Sequence, residues 1–186
     1  MTREPVWQPS ASQAALKSRA QQLAFVRGFF AHRAVLEVET PVLGRCGVTD
    51  VNLDGIHAQV AAGSRAGGWL QTSPEYHMKR MLAAGCGSIY QVSRVFRNGE
   101  HGRRHNPEFS MLEWYRTGFD DVALMEEVSD LVCGWLGCQR PEVVQYRDAL
   151  EHWAGIDPFA ATDRELMRRC EQWLEPEQLA DLVGVI

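Results

Sequence analysis

The sequence predicts an α+β fold, an antiparallel sheet flanked by helices, and three observations predict it. Residues 88–97 and 108–117 alternate as strands do and are joined by a short basic loop, the pattern of an antiparallel hairpin. Helix starts marked by capping residues stand on both sides of that hairpin. Strands that pair as hairpins between helices suit an α+β arrangement better than a doubly wound sheet. The chain has 186 residues, 45% of them hydrophobic and 23% charged, which describes an ordinary globular chain of one domain or two.

The elements follow in order. Ser10 with Gln13 forms a capping box opening a long amphipathic helix, with Leu16, Ala20, Leu23, Val26 and Phe30 at helical spacing and an end near His32. Val35 to Thr40 alternates, Leu36 and Val38 against Glu37 and Glu39, and Pro41 closes this strand because proline cannot donate to a ladder. Gly63, Ser64, Gly67 and Gly68 make a connection between strands near Ile56 to Ala61 and Trp69 to Thr72. That segment lacks the glycine–lysine spacing of a P-loop. Ser73 can cap, and Pro74 fits the first position of, a short helix ending at Gly85. After the hairpin, Asp120 or Asp121 caps a helix bearing Met125, Val128, Leu131, Val132 and Trp135, and Thr162 with Glu165 caps a last one.

Several function classes are disfavoured. No apolar run approaches the ~20 residues that span a bilayer, and no secretory signal is visible, so the cytoplasm is the expected compartment. Five cysteines without a CxxC pair suggest reduced thiols rather than zinc or a disulfide framework. A formal net charge of −5 argues against a surface that coats nucleic acid, while leaving room for a local basic site at Arg94, Arg97, Arg103 and Arg104. Those cations between His101, His105 and Glu108 also speak against a metal there, and no metal ligands are assigned.

The chemistry concentrates between Val95 and Tyr115. On the second strand Phe109, Met111, Glu113 and Tyr115 share one face, because side chains alternate. An apolar stripe of this kind is also what a core would show, but Glu113 on the same face weighs against that reading. Beside it a loop carries Arg97, Arg103, Arg104 and His105. A flat base, phosphates and a metal would suit such a combination. Arginine presents a planar fork that addresses phosphate and carboxylate oxygens together.

Arg97-Asn98 followed by His105-Asn106-Pro107-Glu108-Phe109 and Met111-Leu112-Glu113 resembles motif 2 of the class II lysyl-tRNA synthetases. The helix, strand and Pro41 over about 14–41 resemble motif 1, the dimer-forming element, and motif 2 spans about 88–117. Thr72-Ser73-Pro74-Glu75 with Tyr76-His77-Met78-Lys79-Arg80 resembles the amino-acid-binding segment. The chain is most similar to the paralogous ligases that modify elongation factor P, since it begins just before motif 1 and carries Glu113-Trp114-Tyr115.

The resemblance implies a class II synthetase-like antiparallel sheet, activation of lysine or (R)-β-lysine with ATP and Mg2+, and transfer to a lysine side chain of elongation factor P. It implies a homodimer formed through motif 1, and no tRNA partner or membrane. It assigns Arg97 as the catalytic clamp, and Arg97, Asn98, Gly99, Glu100, His105, Asn106 and Phe109 to ATP. Ser73, Pro74, Glu75 and Tyr115 fall to the amino acid, with Glu113 an additional candidate.

Two departures from the pattern stand out. Gly99 occupies the place of a glutamate that contacts adenine, with Glu100 one residue later. Residues 1–186 read as a partial catalytic domain, incomplete at the C-terminus and without motif 3. Three readings stay open: a ligase, a non-catalytic nucleotide- or lysine-binding module or half of a split enzyme, and a lysyl-tRNA synthetase core fragment.

Overall fold

The structure is a computed structural model that describes residues 7–59 and 67–173. The chain forms two compact units, Met1–Gln139 and Arg140–Ile186. In the first, helix α1 (Gln13–Ala31) is followed by two-residue strands β1 (Leu36–Glu37), β2 (Leu43–Gly44) and β3 (His57–Ala58), then by β4 (Gly68–Leu70) and helix α2 (Glu75–Ala83). The hairpin β5 (Ile89–Phe96) and β6 (Glu108–Tyr115) and helix α3 (Asp121–Leu136) complete it.

Two small sheets result, ordered β1-β5-β6 and β2-β4-β3. The hairpin is antiparallel over all eight pairs from Ile89↔Tyr115 to Phe96↔Glu108, as the alternation predicts. The other edge of β5 is shared. Near its start β1 pairs in parallel, Leu36 with Ile89. Near its end the Phe96 N–H donates to the Gln71 carbonyl. The sheet is therefore mixed rather than purely antiparallel.

The even-numbered face of the hairpin carries the main core. Phe30 of α1 is fully buried, stacked on Tyr90 at 4.4 Å and tilted against Trp114 at 5.5 Å. Val26, Phe29, Val35 and Leu131 surround it, with Phe25, Val92 and Leu112 at the margin. The polar tips find partners, as buried aromatics with polar ends require. The Tyr90 hydroxyl donates to Glu37 at 2.9 Å and the Trp114 Nε1–H to Glu127 at 3.1 Å. Burial, and then that bond to Glu37, push the Tyr90 phenol up to about 12. On the odd-numbered face a second cluster, Val38, Met78 and Ile89 with Met81, Leu82 and Tyr115, seats α2.

Several sequence expectations need correction. The cap of α1 is Ser12, whose hydroxyl accepts from Ala15 N, rather than Ser10. The strand expected over 35–40 is ordered as a ladder only at Leu36–Glu37. Val35, Val38 and Thr40 are the residues turned inward, and Leu36 is exposed. The strand expected at Trp69 to Thr72 ends as a ladder at Leu70; Gln71 next to it donates its N–H to Val42 O and accepts at its carbonyl from Phe96 N of β5. Pro74, not Ser73, sits at the cap of α2, without a side-chain cap bond. Of the glycine-rich connection, Gly63 and Ser64, together with the end of the strand expected to reach Ala61, lie outside the described residues. Asp120 does cap α3, accepting from Ala123 N at 2.8 Å.

The second unit contains a single turn α4 (Tyr146–Ala149) running into a π-helical turn at Leu150–Ala154, which the sequence did not announce, and α5 (Asp163–Trp173). The expected capping box is present: Thr162 Oγ1 accepts from Glu165 N while Glu165 accepts from Thr162 N at 2.9 Å. Arg147 grips Asp157 through Nε at 3.0 Å and Nη2 at 2.9 Å. Among the described residues no helix is long and apolar enough to cross a membrane.

Candidate active site

The site is built on the odd-numbered face of the hairpin. Pairing sets Gln91 opposite Glu113, Ser93 opposite Met111 and Val95 opposite Phe109, and Arg97 follows at the end of β5. Arg97 is anchored at its backbone, where its N–H donates to the Pro107 carbonyl at 2.9 Å. Its Nε points to the Thr72 carbonyl at 3.4 Å and its Nη1 to Glu100 Oε1 at 3.5 Å. The guanidinium carbon lies 5.3 Å from the centre of the Phe109 ring. Arginine, aromatic ring and the 72–75 segment are thus brought together from three stretches of chain. Both polar contacts of the guanidinium are long, so its donors are not held by strong bonds.

The loop after Arg97 is shaped by two local features. Asn98 is tied to Asp54 twice, backbone to backbone at 2.8 Å and Nδ2 to Oδ2 at 2.7 Å. Gly99 has φ +75, a left-handed conformation that a glutamate would adopt only with strain. That turn brings Glu100 back over Arg97. A glutamate at 99, as the family resemblance would have it, would therefore need a different loop path as well as a different side chain. His105 is bridged to Gly102 through backbone bonds, and it and Asn106 are exposed, as are Arg103 and Arg104. None of the described contacts joins the side chains of His105 or Asn106 to Arg97.

Arg94 does not belong with Arg97. It lies on the opposite face of β5, exposed, with Glu108 at 3.8 Å. The basic site expected from four arginines is divided by the same alternation that builds the hairpin.

A carboxylate-rich end faces α2. Tyr115 donates its hydroxyl to Glu113 Oε1 at 2.8 Å. Glu75, in the first turn of α2, pairs with Lys79 one turn on. Burial pushes the Glu113 carboxyl above the ordinary glutamate range; Tyr115 opposes this by donating to the charged form, the Glu75 charge adds to it and Lys79 opposes it. Burial, then the bond to Glu113, raises the Tyr115 phenol well above its usual value. The bond to Glu75 raises the Lys79 ammonium in turn. Two carboxylates, one desolvated, beside a phenol form an environment that favours an added cation. Ser73 and fully buried Pro74 lead into α2, and Gln71, Thr72, Ser73, Glu75 and Tyr76 line one cleft beside its start.

Beneath the site, Thr40 donates to Gln91 Oε1 at 3.0 Å in the interior. Asp54 and Gln71 have structural places here that sequence reasoning missed, and the carbonyl of Thr72 has a contact to Arg97 that its segment's resemblance did not give. Each acts across more than 20 residues of chain, so no local pattern marks it.

Comparison with known proteins places the chain. Residues 6–152 match the family described as "tRNA synthetases class II (D, K and N)". A protein of Pasteurella multocida is 50% identical over 171 residues, 90% of this chain and 53% of that protein. One of Photorhabdus laumondii is 49% identical over 179 residues, 95% and 55% respectively. One of Salmonella paratyphi B is 46% identical over 184 residues, 97% and 56%. All three bear the name "Elongation factor P--(R)-beta-lysine ligase". The chain spans about half the length of the curated relatives it matches. It belongs to the class II tRNA synthetase family of the D, K and N type.

Proposed function

We propose that this chain carries the amino-acid- and ATP-binding face of a ligase that activates lysine or (R)-β-lysine as an acyl-adenylate and transfers it to a lysine side chain of elongation factor P. The observation that carries the reading is the placement of an arginine clamp at one end of a strand face and two carboxylates at the other. A substrate with a carboxylate at one end and an ammonium at the other is the complement of that face. The names of the relatives support the same substrate and acceptor.

In the proposed reaction an oxygen of the amino acid's carboxylate attacks the α-phosphorus of ATP and pyrophosphate leaves. Arg97 holds the two anions together and meets the charge that builds on the phosphoryl oxygens. Phe109 offers a face for adenine, worth about 1–3 kcal/mol by analogy with base stacking. Asn98, Gly99, Glu100, His105 and Asn106 would border the nucleotide. Glu113, with Tyr115, would take the distal ammonium, and Ser73, Pro74 and Glu75 the rest of the amino acid. In the second step the acceptor amine attacks the acyl carbon, AMP leaves and the amine loses one proton. ATP would be taken together with Mg2+, which would offset charge on its phosphates; among the described residues no three His, Cys, Asp or Glu side chains converge on one point. The motif 1 region, α1 with β1, is the proposed homodimer surface, with no tRNA partner and a cytoplasmic location.

Lysine-dependent ATP–pyrophosphate exchange by the purified 186-residue chain tests the reading, followed by transfer of labelled lysine to elongation factor P. Exchange and transfer are the expected result. ATP and lysine binding without exchange would make this a binding module or one half of a split enzyme, and charging of tRNA would make it a synthetase core.

A further inference from the structure

The structure assigns Gln71 a role that rests on the ligase reading: its side-chain carbonyl accepts from the amine that lies beside the substrate's carboxylate, and so determines which lysine isomer is taken. Gln71 is only 8% exposed. Its backbone is committed on both sides, its N–H to Val42 O at 2.9 Å and its carbonyl to Phe96 N at 2.8 Å. Its Nε2 donates to the Arg94 carbonyl at 2.8 Å. That bond decides the orientation of the amide, because a carbonyl accepts only from the nitrogen side. Oε1 is then left buried, and no described residue donates to it.

A buried amide oxygen without a donor is costly, and native structures rarely keep one without a reason. Oε1 is an acceptor only, so the missing group carries an N–H or O–H. Gln71 lines the cleft that also holds Thr72, Ser73 and Glu75. Its neighbour Thr72 presents its carbonyl to Arg97, and Gln71 itself pairs with the residue preceding Arg97. The Gln71 backbone therefore lies beside Arg97, where a substrate carboxylate would be held, and its amide reaches the Arg94 carbonyl, between Arg97 and the Gln91–Glu113 pair. Ser93, next to the Arg94 whose carbonyl fixes the amide, has the second buried oxygen without a partner, and is 7% exposed. α-Lysine and β-lysine differ only in which carbon carries the amine near the carboxylate. An acceptor at this point distinguishes them.

The test is calorimetric titration of the whole 186-residue chain, with ATP present, by L-lysine, (R)-β-lysine and 6-aminohexanoate, which keeps both ends of lysine but has no amine near the carboxylate. Wild type should bind one lysine isomer at least about tenfold more tightly than 6-aminohexanoate, the margin of a hydrogen bond to a charged donor. Gln71→Leu should lose that margin and bind 6-aminohexanoate as wild type does. Equal losses for all three ligands, or a Gln71→Leu protein that still discriminates, overturn the inference. If Gln71→Leu fails to fold, wild type that binds neither lysine isomer more tightly than 6-aminohexanoate overturns it. Arg97→Ala separates the two levels: lysine binding that depends on Arg97 but not on Gln71 removes this inference alone, and no lysine binding by wild type removes the ligase reading with it.

Discussion

The two faces of the β5–β6 hairpin are made from the same sixteen residues and have opposite character. On the even face the aromatic polar tips are answered within the protein, Tyr90 by Glu37 and Trp114 by Glu127, and Glu127 is flanked by Arg33 at 3.7 Å and by Arg116 at 3.3 Å, whose buried Nε makes an ion pair there but no hydrogen bond. On the odd face Ser93 and neighbouring Gln71 keep buried oxygens without partners, and Glu113 is a carboxylate held above its ordinary titration range. A face built for stability satisfies itself, whereas a face built for a ligand leaves groups for the ligand to satisfy. Substitutions on the even face should therefore move melting, and those on the odd face should move binding and turnover.

Phe30→Ala should have the largest effect. It removes a fully buried ring stacked on Tyr90 and tilted against Trp114, a truncation that costs about 3–5 kcal/mol. A large fall in melting temperature is expected, and an unshifted melt would mean that the even face is not the core. Glu127→Gln is a narrower probe. It retains an acceptor for Trp114 but leaves the guanidinium of Arg116, whose side chain is 12% exposed, without its counter-charge, a loss of about 3 kcal/mol where a buried pair is broken. Its KM for lysine should stay unchanged; a raised KM with normal stability would erase the distinction between the faces.

Arg97→Ala tests the odd face. Its polar contacts are long and its removal leaves no core cavity, so stability should stay within about 0.5 kcal/mol of wild type. Exchange should fall by about 10²–10³, the cost of removing one group that stabilises developing charge. Full activity in the variant would sink the assignment of the clamp.

What was legible in the sequence divides along the same line. The hairpin could be read because alternation is a local signal, and every pair from Ile89↔Tyr115 to Phe96↔Glu108 follows it. The Asp120 cap and the Thr162–Glu165 box are local too. Ser10 and Ser12 both precede the same apolar pattern, and only the hydroxyl's reach to Ala15 N decides between them. Arg94 could have been separated from Arg97 by the alternation already used for the strand; grouping it by charge instead put it on the wrong face. Gln71 had no local signature, since its meaning comes from a β5 carbonyl 23 residues away. The family resemblance gave candidate roles to Ser73, Pro74, Glu75 and Tyr115, but not the desolvation of Glu113, which arises only once α2 covers that end of the sheet.

The smallest effect, and the finest test of the comparison, is the pH dependence of Glu113. Its carboxyl titrates above the ordinary glutamate range in the folded protein, chiefly through burial. The folded state therefore holds its proton more tightly than the unfolded chain. Between the two titration points the native state binds more protons, so this group's contribution to stability falls as pH rises from the ordinary glutamate value, and the full penalty is present once folded Glu113 is ionised. Glu113→Gln should remove that decline, so that melting of wild type and variant diverges as pH rises above the ordinary glutamate value. Added lysine should act in the opposite sense, because an ammonium beside the ionised carboxylate favours the charged form. Its stabilisation of wild type should grow with pH across that window and stay flat in the variant. Identical pH profiles for the two proteins with lysine present would remove Glu113 from the substrate site and return that end of the odd face to the core.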